Sequence, residues 1–331
     1  MQLEDARVDD KNLPCTPANG DAAADTDAEP SQLRLAGARA DSASRKPPRG
    51  ASGKSPSVLS KIDVKLEYDV QAPTHFCLHM QAADHDAQHV REERFTVHPA
   101  FPLHDYRDPI KGNRFVRFDA PVGKLKIEYA AEVEVHYVKP EMDLGESPVN
   151  QVPDEVLHFL SPTRYCESDL LANAAQQIFN NVSPGIARVN AVSEWIHKNI
   201  QYVPGSSDAT TTAMQIFVQR QGVCRDFAHL GVTFCRALNI PARLVAGYVF
   251  FDEPPQDFHA VFEAWLDNRW VLFDPTQMAP VERLVRVGTG RDAKDVAFAT
   301  LFGCAALTRK ELTVRETVLP APKTPTLRAV A

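Results

Sequence analysis

Residues 219–230 read "QRQGVCRDFAHL". The apolar spacing that follows predicts a helix over 223–238, stopped by the "NIP" that begins at Asn239. Gly222 breaks the preceding segment, so Cys224 falls in the first turn of the new helix. Unpaired N–H groups and the positive end of the helix dipole favour an anion there. A thiol at such a position has its pKa lowered from about 8.5 toward roughly 3.5–7.5, and the thiolate is the nucleophile. Gly222 is expected to leave the sulfur open to a substrate. The Cys224 N–H would point at an oxyanion forming on an attacked carbonyl. The competing reading is a small buried hydrophobe, since free cysteines are among the most buried residues. Cys235 is the internal comparison. It lies on nearly the same face, about 16 Å further along the axis, among Val232, Phe234 and Leu238, and reads as core. Asp226 in the first turn suits the helix dipole.

A nucleophilic cysteine needs a base, and the base an orienting group. The stretch "FHAVFEAWLDNRWVLFDPT", residues 258–276, offers both. His259 opens one predicted strand and Asp274 closes the next, with "LDN" as the turn. If Leu266 faces Arg269, Val261 lies level with Asp274. If Trp265 faces Asn268, His259 itself does. In either register His259 and Asp274 point to one side of the sheet, about 4.5–8 Å apart at the backbone. Taken alone, His259 is equally readable as a strand histidine without a role.

Outward from these motifs, two regions differ in pattern. Ile62, Val64, Leu66, Tyr68 and Val70 alternate with polar residues, as do Leu125 through Tyr137. Both are strands with one wet face. Shorter strands are expected at 75–80, 90–97 and 114–118, giving an antiparallel β domain at 58–140. "KPEMDLGESP" reads as a linker. From 150 to 312 an α+β core is expected. Short helices lie in "DEVLHFL" and "SDLLANAAQQIF". Another starts at Ser183-Pro184 and carries Ile186, Val189, Val192 and Ile196 inward. A helix capped by Thr210 or Thr211 runs to Val218, and strands follow at 243–251, 258–266 and 270–274. Residues 1–57 are rich in Ala, Asp, Ser, Pro and Gly and read as disordered. So does the Pro-containing tail, 313–331.

The chain has 331 residues, 44% of them hydrophobic, and a formal net charge of −7. That balance argues against a phosphate-binding surface and hence against nucleic acid as a partner. No apolar run of about 18 residues suggests a membrane span. The acidic start has no apolar signal core. Six scattered cysteines (Cys15, Cys77, Cys166, Cys224, Cys235, Cys304) read as reduced thiols of a cytoplasmic protein. His75, Cys77 and His79 alternate on one strand, with His85 and His89 beyond. No second cysteine pair completes a zinc set, and a solvated or interface face is the expected reading. In "GRDAKDVAF", Arg291, Asp292 and Asp295 read either as cleft charges or as a helix N-terminus with local ion pairs. Trp195, Trp265 and Trp270 read as core or hairpin aromatics.

Together "GVCRDFAHL", "FHAVFEAWLDNRWVLFDPT" and "VGTGRDAKDVAFATLFG" resemble the bacterial transglutaminase-like cysteine peptidase family. The resemblance spans about residues 60 to 312. It implies a papain-like core, with helices packed on an antiparallel sheet, and an accompanying N-terminal β-sandwich-like domain. It also implies Cys224 as nucleophile, His259 as base and Asp274 as orienting group, with no cofactor. Tyr202, in "IQYVPGSS", matches the place of a polar donor upstream of the cysteine, and an aromatic packing role fits it equally well. The activity implied is attack on a peptide or other amide, then release of the acyl group to water or to an amine. A scaffold on the same fold with an idle triad is the alternative from another class. Substrate identity and oligomeric state are not legible.

Overall fold

The computed structural model describes residues 57–136 and 143–319. The expectations for residues 1–56 and for the chain beyond 319 lie outside them. The period-2 segments form strands β1 (Val58–Val70) and β6 (Gly123–Val135), paired antiparallel. Strands β2 (Thr74–Leu78), β3 (Gln88–His98), β4 (His104–Arg107) and β5 (Arg114–Ala120) lie between them.

The chain's last two strands return to this domain. They are β13 (Ala299–Phe302) and β14 (Ala305–Val318). One sheet has the order β14-β1-β6-β3 and the other β13-β2-β5-β4. Their apolar faces share one core, to which Ile62, Phe76, Phe118, Ile127 and Val314 contribute. This corrects the expected boundary at 312 and the disorder expected from 313. Residues 313–318 complete the edge of the first sheet, with Val314 opposite Ile62.

The remaining elements build the second layer system. Helices α1 (Asp154–Leu157), α2 (Ala172–Phe179), α3 (Ile186–Asn199), α4 (Ala213–Gln219) and α5 (Cys224–Ala237) precede strands β9 (Ala242–Tyr248), β10 (His259–Leu266), β11 (Arg269–Phe273) and β12 (Val285–Gly290). A two-residue parallel ladder joins β7 (Gln201–Tyr202) to β8 (Gln221–Gly222). The sheet order is β11-β10-β9-β12, antiparallel throughout. Helix α5 lies against it, burying Phe227, Leu230 and Phe234 with Phe262 and with Val189, Val192 and Ile196 of α3. The crossing is close at Gly231, where an added Cβ would lie 2.5 Å from the Phe262 ring. The α+β architecture is therefore as expected, helices on an antiparallel sheet beside a β-sandwich. The two share packing, because Tyr248, Val285 and Val287 enter the sandwich core. No helix among the described residues is long and apolar enough to cross a membrane.

Several local expectations shift. Helix α3 starts at Ile186 rather than at Pro184. The preceding chain docks first, through Ile186 N–H to the Leu144 carbonyl (2.9 Å) and Gly185 N–H to Glu146 Oε1 (2.8 Å). Within the expected linker, Leu144 is a buried anchor. Helix α4 is capped by Thr212, in a capping box with Gln215. Thr210 and Thr211 instead bond Asp208. Cys77, Cys166, Cys224 and Cys235 are free thiols.

Candidate active site

Cys224 is the first residue of α5, preceded by Val223, whose side chain has no capping oxygen. Asp226 supplies the cap. Its Oδ2 accepts the Val223 N–H at 2.9 Å and the Ser207 hydroxyl, and its Oδ1 pairs with Arg225 at 2.8 Å. Arg225 also donates to the Asp208 carbonyl at 2.7 Å. The carboxylate is 1% exposed, so the 207–208 loop is fastened to the start of the helix. Gly222 serves this cap. A Cβ there would sit 2.8 Å from Asp226 Cβ and 3.1 Å from Ile216 Cδ1. The missing Cβ therefore makes room for Asp226. Cys224 is half-buried, with Sγ 3.8 Å from the Phe258 carbonyl. Cys235 is fully buried, and burial holds its thiol well above the ordinary range.

The hairpin adopts the register in which Leu266 faces Arg269 and Phe262 faces Phe273. Val261 is then level with Asp274, and His259 is its diagonal neighbour. The imidazole still reaches the carboxylate, with His259 Nε2 2.8 Å from Asp274 Oδ2. Both are almost fully buried. Asp274 Oδ1 accepts the Thr276 N–H (2.9 Å) and hydroxyl (2.7 Å), which fix the carboxylate. Nδ1 is buried with no hydrogen-bond partner among the described residues, and Cys224 lies close enough to act on the ring electrostatically. Burial opposes a charge on His259, but the hydrogen bond to Asp274 and the electrostatic pull of Asp274 and Cys224 outweigh it, raising the pKa to about 10.

Tyr202 reaches the same point through the β7–β8 ladder, which sets Val203 N–H on the Gly222 carbonyl at 3.0 Å. Its hydroxyl lies beside Cys224. Burial, and then charge on Cys224, push that phenol above the usual tyrosine range, so it is a protonated donor. It also packs on Phe227, ring centroids 5.9 Å apart.

Cys224 and His259 open onto a cavity of about 350 Å³. The segment carrying Ala293, Val296 and Phe298 forms its far wall. Residues 291–296 form turns rather than the expected helix start. Asp295 pairs with Arg291 (3.0 Å) and with Lys111 of the β domain (2.8 Å). These charges brace the wall from behind. Asp292 is buried, its Oδ1 accepting the Lys294 N–H. The wall also hangs from His229 of α5, whose Nε2 accepts the Ala293 N–H at 3.0 Å. Burial, then Arg225 and Arg236, lower its pKa to about 3, so the ring is neutral.

His229, Ser207 and Thr276 were not singled out from the sequence. Only Thr276 carried a local signal, an Asp-Pro-Thr turn. The His75, Cys77 and His79 set does not hold one face. His75 pairs with Asp119 (2.7 Å) and accepts from Arg117 (3.1 Å). His79 lies beyond the strand end, buried 4.6 Å from the Phe115 ring, with its pKa lowered by burial to about 4. No cluster of metal-ligating side chains occurs among the described residues. Trp265 and Trp270 form a hairpin pair and Trp195 packs in the helical core, as expected.

Comparison with known proteins identifies the fold. The Transglutaminase-like superfamily core matches residues 172–275, and the bacterial transglutaminase N-terminal domain matches residues 59–155. A crystal structure titled a "Putative Cysteine Protease", from Cytophaga hutchinsonii, superposes with a TM-score of 0.75 at 37% identity, covering 82% of this chain and 94% of that one. An uncharacterized protein of Mycobacterium leprae is 31% identical over 196 residues, 54% of this chain and 67% of the relative. One from Mycobacterium tuberculosis is 29% identical over 143 residues, 39% and 46% respectively. The chain belongs to the transglutaminase-like superfamily, with the bacterial transglutaminase N-terminal domain preceding the core.

Proposed function

We propose that this protein is a thiol-dependent amide hydrolase acting through an acyl-enzyme. The supporting observation is a half-buried cysteine at a helix N-terminus, lining one cavity with a histidine that a buried carboxylate holds at 2.8 Å. Cys224 Sγ, as thiolate beside imidazolium His259, adds to the amide carbonyl. The oxyanion faces the Cys224 N–H and the Tyr202 hydroxyl. His259 passes its proton to the leaving amine, the C–N bond breaks and a thioester remains. Water, deprotonated by His259, adds to the thioester, and the C–S bond breaks to restore the thiolate. Asp274 orients His259 and stabilises its charged form. Free water is abundant, which favours hydrolysis over transfer to an amine unless the site excludes it.

The test is limiting iodoacetamide near pH 6, where ordinary thiols are mostly protonated, with adducts mapped by mass spectrometry. Cys224 should be alkylated ahead of Cys77, and His259→Ala should slow it at least about tenfold. Equal labelling rates in the two proteins would leave the scaffold reading standing.

A further inference from the structure

The cavity has a cause in the sheet. On β9 and β10, Ala246 faces Ala260, and one layer further Leu244 faces Phe262. The large pair fills the space under α5, while the alanine pair leaves a hollow that opens beside Cys224 and His259. Its volume lies near the lower limit of ligand pockets, roughly 300–1,000 Å³. The wall is preformed. Phe298 stacks on Phe258 with centroids 3.7 Å apart, and the His229 and Lys111 contacts hold the turn before it. The Tyr165 hydroxyl is committed to the Ala209 carbonyl at 2.8 Å. The charged groups lining the hollow, among the described residues, are all cations: Lys294, His259 in its protonated form, and Arg225, which is paired with Asp226; no carboxylate lines it.

We infer that the Ala246–Ala260 hollow is the specificity pocket for the side chain beside the attacked carbonyl, and that it selects aromatic or branched aliphatic groups and rejects cationic ones. The inference rests on Cys224 being the nucleophile. An apolar side chain gains from leaving water for a wall of Ala, Leu, Val and Phe. A lysine or arginine side chain would lose its hydration without a carboxylate partner and would face groups of like charge.

The experiment uses N-acetyl amino-acid chloromethyl ketones that differ only in side chain: Phe, Leu, Ala and Lys. In each, Sγ displaces chloride, forming a C–S bond and breaking the C–Cl bond. Rates at Cys224 are divided by the same protein's iodoacetamide rate. The Phe and Leu probes should react at least about tenfold faster than the Ala and Lys probes, the discrimination typical of a hydrophobic pocket. Ala246→Leu, which fills the hollow, and Phe298→Ala, which removes its wall, should each bring the Phe-to-Ala ratio close to unity. A Lys probe as fast as Phe, or a ratio that survives both substitutions, overturns the pocket while iodoacetamide labelling keeps the nucleophile. Loss of His259-dependent labelling overturns both.

Discussion

Two buried histidines hold this site in opposite charge states. His259 is raised to about 10 because Asp274 and Cys224 reward its proton. His229 is lowered to about 3, and its Nε2 must stay unprotonated to accept the Ala293 N–H. The signs of their linkage differ. The unfolded chain titrates both near 6.5. His259 holds more proton in the fold, so its contribution is fully present below about pH 6.5 and is lost as pH rises through 10. His229 holds less, so its neutral form costs stability as pH falls from about 6.5 toward 3. Melting midpoints across pH should therefore fall less on the alkaline side in His259→Gln than in wild type, and less on the acid side in His229→Gln. Parallel curves for wild type and both variants would refute the assignment. Asp274→Asn should keep the fold and cut turnover by orders of magnitude, as loss of the orienting group does in triads. Near-normal turnover on a true substrate would remove Asp274 from the site.

Helix α5 and the β10–β11 hairpin were readable because their signals are local. The apolar spacing fixes the helix, and the alternation brings His259 and Asp274 to one side of the sheet. The register was narrowed to two choices. The turn decided between them, since Asp267 (φ 42°) and Asn268 (φ 57°) both take the left-handed conformation, as a two-residue type I′ loop requires. Contacts between distant segments left no such trace. Ser207 meets Asp226 across the start of α5, and Lys111 meets Asp295 from another domain. Gly222 carries a packing role that the sequence does not show. Its missing Cβ makes room for the Asp226 cap. Gly222→Ala should therefore destabilise by about 1–3 kcal/mol, the range for overpacking a tight site. The denaturant midpoint measures this. An unchanged midpoint would mean that Asp226 and Ile216 yield freely.

At the scale of the whole molecule, the chain closes on itself. β14 pairs with β1 from Val58↔Val318 to Val70↔Ala305, so the sandwich needs both ends of the described chain. Sequence pattern hides this. Residues 305–318 read "AALTRKELTVRETV", and in the fold only Leu312 and Val314 are buried. An edge strand with one narrow apolar stripe and many charges looks like a solvated tail, and edge strands carry such charges to discourage further pairing. The two readings separate on deletion. If the chain from 313 were dispensable, removing 313–331 would leave the melt unchanged. The structure requires a loss, because Val314 is fully buried against the strand that carries Ile62. One buried valine contributes about 1.5–3 kcal/mol, and the broken ladder adds to that. For a protein of this size each kcal/mol shifts the midpoint by about 2–4 °C. Deleting 313–331 should therefore lower the melting midpoint by several degrees or abolish the cooperative transition. Deleting 319–331, which spares the strand, should leave it in place. Identical midpoints for the two truncations would exclude β14 from the folding unit.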